Sequence, residues 1–463
     1  MAGSRHRSKV CAAHLGSTPA EAPRLADEVP LLIRLEREVE DEYRRLMLAR
    51  LEEKVRQVDA SLAGTAPRCT VCGQPMKSRG RKPSGFITRF GQVDVCPAVY
   101  RCKRCRENVR PLLLVLGAEA GRVSGSLARL LALLGVVVWY ELAARLAQMF
   151  FGTTVCAMTV WRSVQRLGAA CEAYTEQQVR YAHDPHRDPT DAADAPATVV
   201  LRADGCALGM QVRKQRRRRQ GAEPLPALPA VEEGHFREVK TGVLLLPAER
   251  LEPSPGRRSV VRRAVVTCLG EADRIFERLW AKLSELGWLG PKTVVVIVGD
   301  GAEWIWNRTA MFPLRCEVLD FWHAIEKAWV FARLRYGEGS TQAARFISRI
   351  TDELRAGKVP EVIGRLRLLT PHLPEQREAL DALIKYYTDN QCRMRYDEYL
   401  RLGYGIGSGA VESAHKQVVH ARLRQAGMRW SELGAQRLLA LRVVLLNNQW
   451  DVLDYLPMLH KVA

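Results

Sequence analysis

Two runs of β-branched residues, each followed by glycine, constrain the fold of this chain more than any other feature. The runs are ATVVLRAD, which ends at Asp204, and TVVVIVGD, which ends at Asp300. Apolar runs of this length are typical of buried strands. We therefore predict a buried sheet in which two carboxylates emerge where neighbouring strands end, close enough to share one metal ion.

A third acid follows a Gly-Ser-Gly turn near the C-terminus. Glu412 opens the helical stretch ESAHKQVVHARLR, which can lay its carboxylate across the strand ends. Three carboxylates placed in this way suit in-line displacement at phosphorus with two divalent ions per active site. Hard oxygen ligands of this kind select Mg²⁺ or Mn²⁺. Any one of the two Asp-Gly pairs, taken alone, is equally typical of a simple turn.

The net charge indicates a polyanionic partner. The chain has 70 basic and 51 acidic side chains, a formal balance of +19, which favours nucleic acid. The N-terminal sequence MAGSRHRSKV has no apolar signal region, and the uncharged run from Leu130 to Tyr140 is too short to span a bilayer. We therefore predict a cytoplasmic protein that has no membrane partner.

Two CxxC pairs predict one structural zinc ion. Cys69 and Cys72 form the first pair, and Cys102 and Cys105 form the second. Each pair brings two thiolates to one side of an ion, and two pairs complete a closed tetrahedron. The residues between the pairs alternate in the manner of short strands, as in a zinc ribbon. Cys96 lies outside this spacing.

Helical patterns flank the predicted ribbon. Residues 30–62 read as one long amphipathic helix with a packing or self-association role. Residues 124–170 contain an apolar helix, a turn at Gly152 and a second helix from about Met158 to Leu167, which resembles a helix-turn-helix. Plain packing of a helical hairpin explains the pattern equally well. If this unit reads DNA, the candidate residues are Thr159, Arg162, Ser163 and Arg166.

After an Asp- and Pro-rich linker that begins at His183, the pattern changes to strands. The predicted elements are strands at 197–204, 207–212 and 237–246, a helix at about 271–286, a strand ending at Asp300, a strand at RCEVL and a helix beginning DFWHAIEKAWVFARL. The segment GAEWIWNRTAMFP lies between the strand at Asp300 and RCEVL. Strand, strand, strand, helix, strand, helix, strand is the element order of a ribonuclease H-like core, with the two aspartates on the first and fourth strands. The helical stretch from His323 to about Tyr404 is too long for a connection and is predicted to be an insertion.

The predicted fold class is a multidomain chain with α+β and α/β parts. An N-terminal helical and zinc-ribbon/helix-turn-helix region precedes a ribonuclease H-like core with an α-helical insertion. The predicted divisions are a helical segment (1–65), a zinc ribbon (66–115), a helix-turn-helix-like region (116–183), a linker (184–196), the first part of the core (197–323), the insertion (324–404) and the C-terminal core helices (405–463).

Several motifs together resemble one family. DG at Asp204, GDGAEW at Asp300, DFWH at Asp320 to His323, and GIGSGAVESAHKQVVHARLRQAGMRWSELGAQRLLALRVVLLNNQWD from Gly405 are similar to the DDE transposases of bacterial insertion sequences. The likeness is to the ISKra-type group, which is related to Mutator-like elements. It extends from the zinc ribbon to about Asp451 and is most specific in the C-terminal block.

The resemblance implies Mg²⁺-dependent cutting and joining of transposon ends by a nucleoid-associated bacterial enzyme. Asp204, Asp300 and Glu412 would be its catalytic acids, and Asp320 and His323 its accessory (C/D)xxH element. Its partners would be double-stranded DNA, as transposon ends and target, and further copies of the chain in a homodimer or higher oligomer. A histidine on a helix is otherwise an ordinary core or surface residue.

Basic side chains are candidates for DNA contact, with a solvated surface as the alternative. The candidate residues are Lys214, Arg216, Arg217, Arg218 and Arg219 in the basic loop, Arg162 and Arg166 in the helix-turn-helix-like region, and Lys416, Arg422 and Arg424 near Glu412.

Two other functions share these features. A regulator derived from a transposase would keep the zinc ribbon and the fold but would have lost its activity, and the presence of all three acids argues against it. A structure-selective nuclease on the same core would not need modules that recognise transposon ends.

Replacing Arg216, Arg217, Arg218 and Arg219 with Gln tests the basic loop. If the loop contacts phosphates, the salt dependence of DNA binding should fall by up to about 0.9 log units for each lost contact, because fewer counterions are released. Affinity titrations over a range of salt concentrations measure this slope. An unchanged slope would show that the loop is only solvated.

Overall fold

The computed structural model describes residues 30–456 except 65, 119–122, 187, 189, 191, 193, 212–234, 248–249, 255–256, 261 and 408. The predicted DNA contacts of the basic loop, Lys214, Arg216, Arg217, Arg218 and Arg219, lie outside these residues. Every helix within the described residues is too short or too polar to cross a lipid bilayer.

The N-terminal region consists of one long helix and short strands. Its elements are α1 (Leu31–Ser61), β1 (Lys77–Arg81), β2 (Ser84–Thr88), β3 (Gly91–Val95), β4 (Ala98–Arg101), β5 (Asn108–Val109) and α2 (Pro111–Val115). The predicted helix at 30–62 is confirmed. Its C-terminal half packs on the β2–β3 hairpin through Val55, next to Phe86 and Val93, whereas its N-terminal half is exposed.

Three helices follow: α3 (Gly125–Val137), α4 (Tyr140–Phe151) and α5 (Ala157–Ala182). Gly152 ends α4 in the left-handed conformation, as the predicted turn requires. The predicted end of the second helix near Leu167 is wrong, because Gly168 does not terminate it. A Cβ atom at Gly168 would lie 2.4 Å from the carbonyl oxygen of Arg437. This glycine therefore permits close packing of two helices instead of ending one.

A five-stranded mixed sheet forms the centre of the molecule. The elements in chain order are β6 (Thr198–Gly209), β7 (Phe236–Leu245), β8 (Arg250–Ser254), β9 (Arg257–Val260), β10 (Arg263–Leu269), α6 (Ala272–Glu285), β11 (Val294–Gly299), α7 (Glu303–Trp306) and β12 (Arg315–Leu319). The strand order is β10-β7-β6-β11-β12. β7 is antiparallel to both of its neighbours, and β6, β11 and β12 are parallel to one another. β8 and β9 form a separate hairpin.

The sheet corrects two predictions about strands. The segments 197–204 and 207–212 belong to one strand, because β7 pairs with β6 from Val200 to Gly209 without a break. Asp204 therefore lies inside β6 and not at its end. A Cβ atom at Gly205 would lie 2.0 Å from Oε1 of Glu238, so this glycine admits a neighbouring side chain and makes no turn. β10, at 263–269, has no counterpart among the predicted strands.

The rest of the described chain is helical. The elements are α8 (Phe321–Tyr336), α9 (Thr341–Arg355), α10 (Val359–Arg367), α11 (Pro374–Asn390), α12 (Tyr396–Arg401), α13 (Gly409–His415), a π-helix (Lys416–His420), α14 (Ala421–Leu423), α15 (Glu432–Leu446) and α16 (Val452–Tyr455). Helices therefore occupy the segment predicted as an insertion. α13 packs against β6 and β7.

The N-terminal helices and the sheet share one hydrophobic core. Ala132 of α3, Val164 of α5, Val200 of β6 and Leu438 of α15 are buried in the same cluster. Burial of this apolar surface stabilises the packing between the helices and the sheet. α3 and α5 are thus part of the structure that supports the sheet, as well as a predicted DNA-reading unit.

A buried arginine connects the helices within this core. Arg442 of α15 donates hydrogen bonds to the carbonyl oxygens of Val418 at 2.7 Å, Val136 and Gln417. Val136 is in the last turn of α3, where carbonyl oxygens lack partners within the helix. Gln417 and Val418 belong to the π-helix that follows α13. The guanidinium group of Arg442 thus joins the end of α3 to the π-helix that follows Glu412 in the chain.

We predict that Arg442→Leu lowers the free energy of unfolding by about 3 kcal/mol, because it leaves buried carbonyl oxygens without donors. Thermal unfolding measured by circular dichroism would show a lower midpoint. Arg401→Leu is the matched control, since the Arg401 side chain is 75% exposed. Equal midpoints for the two variants would contradict this role of Arg442.

Candidate active site

Asp204 is held at both of its carboxylate oxygens. The backbone N–H of Gly205 donates to Oδ1 at 2.7 Å, and Nδ1 of His415 lies 3.4 Å from Oδ2. Burial raises the pKa of the carboxyl group, but the contact with His415 and its charge, the Gly205 N–H and the charge of His323 outweigh this effect. The pKa therefore lies below its ordinary value, and Asp204 is ionised at neutral pH.

The register of three parallel strands aligns three aspartates. Residues paired across β6 and β11 are 96 positions apart (298 − 202), which is also the separation of Asp204 and Asp300 (300 − 204). Residues paired across β11 and β12 are 20 positions apart (319 − 299), as are Asp300 and Asp320. Neighbouring strands in a sheet lie about 4.8 Å apart. Continued just past the last pairs, the register places the three residues in a row, which we call the aspartate row.

The backbone turn at Asp300 is braced from the helical insertion. Oδ1 of Asp300 accepts a hydrogen bond from the backbone N–H of Ala302 at 3.0 Å. The hydroxyl of Tyr386, on α11, donates to the carbonyl oxygen of Asp300 at 2.6 Å. Gly301 has φ +98°, and a Cβ atom there would lie 2.9 Å from the Tyr386 ring. Tyr386 therefore fixes the turn that carries the second acid.

Asp320 and His323 interact through the backbone. Asp320 is fully buried, and its Oδ1 accepts the N–H of His323 at 2.8 Å, which caps the N-terminus of α8. Its Oδ2 makes no hydrogen bond within the described chain. The His323 ring is 3.9 Å from Asp320 Oδ1 and 3.9 Å from Glu326 Oε2, beyond hydrogen-bond distance. The ring still lies close enough to affect the pKa of Asp204.

Glu412 is exposed on α13, the helix that covers β6 and β7. It precedes His415 by three residues, so both side chains lie on one face of the helix. His415 touches Asp204, and Glu412 is therefore on the side of the helix that faces the aspartate row. Among the described residues, the cluster of three or more potential metal ligands is formed by cysteines. Asp204, Asp300 and Glu412 do not form such a cluster in the described structure.

Three residues near Asp204 or Asp300 are absent from the site predicted from the sequence: His415, Tyr386 and Thr241. The spacing of three residues from Glu412 on a helix is a signal that could have identified His415. Thr241 is paired directly opposite Asp204 on β7. Thr241 and Tyr386 are brought to the site by the tertiary structure, through the pairing of β7 with β6 and the packing of α11. The local sequence around them does not predict these contacts.

The four predicted zinc ligands lie together in the N-terminal region. The sulfur atoms of Cys69, Cys72, Cys102 and Cys105 are all within 4.8 Å of one another, and the Cys72 and Cys102 sulfurs are 3.6 Å apart. A tetrahedron with Zn–S bonds of about 2.3 Å has sulfurs about 3.8 Å apart. Hydrogen bonds from the backbone at Val71 and Cys72 lower the pKa of Cys69 to about 7, which favours the thiolate. The donor set and its spacing therefore fit zinc.

The remaining basic residues differ in exposure. Arg162, Lys416 and Arg424 are exposed. Burial raises the pKa of the Cys206 thiol, and the charge of Arg424 acts against this rise. Cys206 lies two residues beyond Asp204, on the same face of β6. Arg166 is partly buried, and burial lowers its pKa. The exposed three are therefore available to a polyanion.

Arg422 and Ser163 are corrections to the predicted DNA contacts. Arg422 is 1% exposed, its guanidinium group packs over the rings of Tyr140 and Trp430, and its apolar surroundings leave no path to a phosphate. Ser163 is buried and donates its hydroxyl to the carbonyl oxygen of Thr159 at 2.9 Å. Both side chains serve the packing of α5 and α14.

No protein-family profile matches the sequence, and a comparison with curated proteins finds no match. Among solved structures, the chain is similar to the Drosophila P element transposase strand transfer complex, with 11% sequence identity over 74% of this chain and 83% of that chain. The TM-score of 0.23 is too low to establish a shared fold.

We predict about one zinc ion per chain, and its loss in Cys102→Ser, because three thiolates cannot close the tetrahedron. Elemental analysis of the purified protein measures the metal. Cys96→Ser is the matched control, since Cys96 is exposed and outside the cluster. Wild-type protein without zinc, or equal zinc in both variants, would contradict the assignment.

Proposed function

We propose that this chain is a DDE-type DNA transposase that binds insertion-sequence ends and catalyses strand cleavage and strand transfer on a ribonuclease H-like core. The aspartate row is the observation that carries the proposal, because adjacent parallel strands align Asp204 with Asp300. Further support comes from the order β6, β7, β10, α6, β11, α7, β12, with the β8–β9 hairpin set aside. This order has the predicted succession of strands and helices, although β10 takes the place of one predicted strand.

Asp204, Asp300 and Glu412 are the residues that would hold two Mg²⁺ or Mn²⁺ ions. Their carboxylates supply the oxygen ligands that these cations prefer. The lowered pKa of Asp204 keeps its carboxyl group ionised. Two such ions activate the attacking oxygen and stabilise the leaving oxygen in phosphoryl transfer. Glu412 is exposed on the helix that covers β6, so a rotamer change can bring its carboxylate towards the aspartate row.

Asp320 and His323 support the site. Asp320 caps α8 and thereby fixes the backbone at His323. The His323 ring is 32% exposed and lies near Asp204, which places it where a phosphate of the substrate can approach. Substitution of either residue should therefore reduce the rate less than loss of an acid.

Double-stranded DNA is the substrate that the charge and the exposed basic residues support. The chain has a net charge of +19, and Lys416 and Arg424 are exposed on the segment that follows Glu412. Contacts from these side chains to phosphates would hold the DNA next to the acids without reading its sequence.

A homodimer or higher oligomer is part of the proposal. The N-terminal half of α1 exposes large apolar side chains three or four positions apart, namely Leu32, Leu35, Val39, Tyr43 and Leu46. Such a stripe on a helix is typical of an interface with another helix.

We expect Asp204→Asn, Asp300→Asn and Glu412→Gln each to reduce DNA strand cleavage and joining by about a thousandfold or more, because each removes an anionic ligand. The substrate is a plasmid carrying the gene and its flanking genomic DNA, incubated with Mg²⁺ or Mn²⁺. Binding of the same DNA, measured by gel shift, should persist.

Glu375→Gln is the matched control, since Glu375 is exposed in the first turn of α11. A wild-type chain that binds the flanking DNA but does not cut it would be a regulator. Cutting of branched DNA that is independent of the flanking sequences would indicate a structure-selective nuclease. Full activity in all three acid variants would overturn the assigned site.

A further inference from the structure

A buried histidine outside the three-acid set contacts the first acid. His415 is 5% exposed, and its Nδ1 lies 3.4 Å from Oδ2 of Asp204. Its Nε2 is buried and makes no hydrogen bond to any described residue. The imidazole ring therefore contacts Asp204 through Nδ1, and its Nε2 has no partner among the described residues.

A second buried polar group lies on the other strand of the same pair. Thr241 of β7 is directly opposite Asp204, and directly opposed residues of an antiparallel pair face the same side of the sheet. Thr241 is fully buried, and its hydroxyl has no hydrogen-bond partner in the described part of the chain. α13, which carries His415, packs against both β6 and β7. Asp204 is thus flanked by two buried polar side chains.

The contacts to Asp204 leave room for a cation. An ionised carboxylate has about four acceptor positions. Gly205 occupies one on Oδ1, at 2.7 Å, and Nδ1 of His415 lies 3.4 Å from Oδ2. With respect to the described residues, each oxygen thus keeps a free lone pair, and the two contacts restrict rotation of the carboxylate from both sides. This arrangement matches the outer-shell partners that orient metal-binding side chains.

We propose that His415 is a positioning residue that fixes the Asp204 carboxylate for divalent-cation binding, and that it sets the rotation of α13 so that Glu412 faces the same cation. The proposal rests on the proposed function. Because Glu412 and His415 are three residues apart on one helix face, a single contact orients both acids. The hydrogen bonds of Arg442 to Gln417 and Val418 hold the following π-helix in place.

Two substitutions separate positioning from packing. His415→Asn keeps an N–H donor at the place of Nδ1, whereas His415→Leu keeps much of the volume and removes the donor. We expect His415→Leu to weaken Mn²⁺ binding about 10- to 100-fold and His415→Asn to stay much closer to wild type. Electron paramagnetic resonance of free Mn²⁺, recorded without DNA, gives the dissociation constant. The Mn²⁺ concentration that half-saturates plasmid cleavage should shift in the same order.

The controls decide between the possible failures. His372→Leu changes an exposed histidine in the insertion and should bind Mn²⁺ as wild type does. Wild-type affinity in His415→Leu, or equal weakening in the Leu and Asn variants, would overturn the positioning role. If His415→Leu does not fold, His415→Gln replaces it, because its amide lies at the place of Nε2; equal affinities in the Gln and Asn variants would again overturn the role.

Asp204→Asn distinguishes this proposal from the proposed function. If wild-type Mn²⁺ binding does not depend on Asp204, the cation site itself is absent and both proposals fail. If binding requires Asp204 but is unaffected by the His415 substitutions, only the positioning role fails.

Discussion

The parallel pairing of β6 with β11 is the constraint on which the candidate active site depends. Side chains alternate between the two faces of a strand, so a slip of one residue would turn Asp204 away from α13. β7 pairs with β6 along ten positions, and β12 pairs with β11 on the other side. The long ladders on both sides therefore make the register costly to change. The contacts of α8, α11 and α13 with the three aspartates presuppose this register.

Elements with strong local patterns could be predicted from the sequence. Periodicity or short spacing defines the runs at Asp204 and Asp300, the helix of residues 30–62 and the four-cysteine cluster, and the structure contains each of them. A glycine that follows a regular segment has two possible uses, to end an element or to admit a neighbouring group. Gly168 lies against the carbonyl group of Arg437 and Gly205 against the Glu238 side chain, and neither ends its helix or strand. That distinction requires the neighbouring element.

The sequence predicted those parts of the candidate site in which the residue type and its neighbours in the chain determine whether a side chain is buried or exposed. A buried apolar run predicts an aspartate in or next to a strand, whereas the burial of Arg422 follows from the placement of Tyr140 and Trp430 around it. A guanidinium group in a basic helix looks solvent-exposed in sequence, although its stem and plane suit an aromatic cage. The brace from Tyr386 to Asp300 likewise joins residues that are 86 positions apart.

The close approach of α5 to α15 limits which substitutions and segment exchanges the chain can accept. Gly168 lies against the carbonyl group of Arg437, and Arg442 reaches the last turn of α3. A helical segment from another protein could replace α3 to α5 only if it brought a glycine and free carbonyl groups to the same points. Truncation before β6 would uncover the apolar face on which α5 rests. The helices α3 to α5 and the sheet therefore cannot be exchanged as independent modules. Substitutions on one side of the contact between α5 and α15 are accepted only with matching changes on the other side.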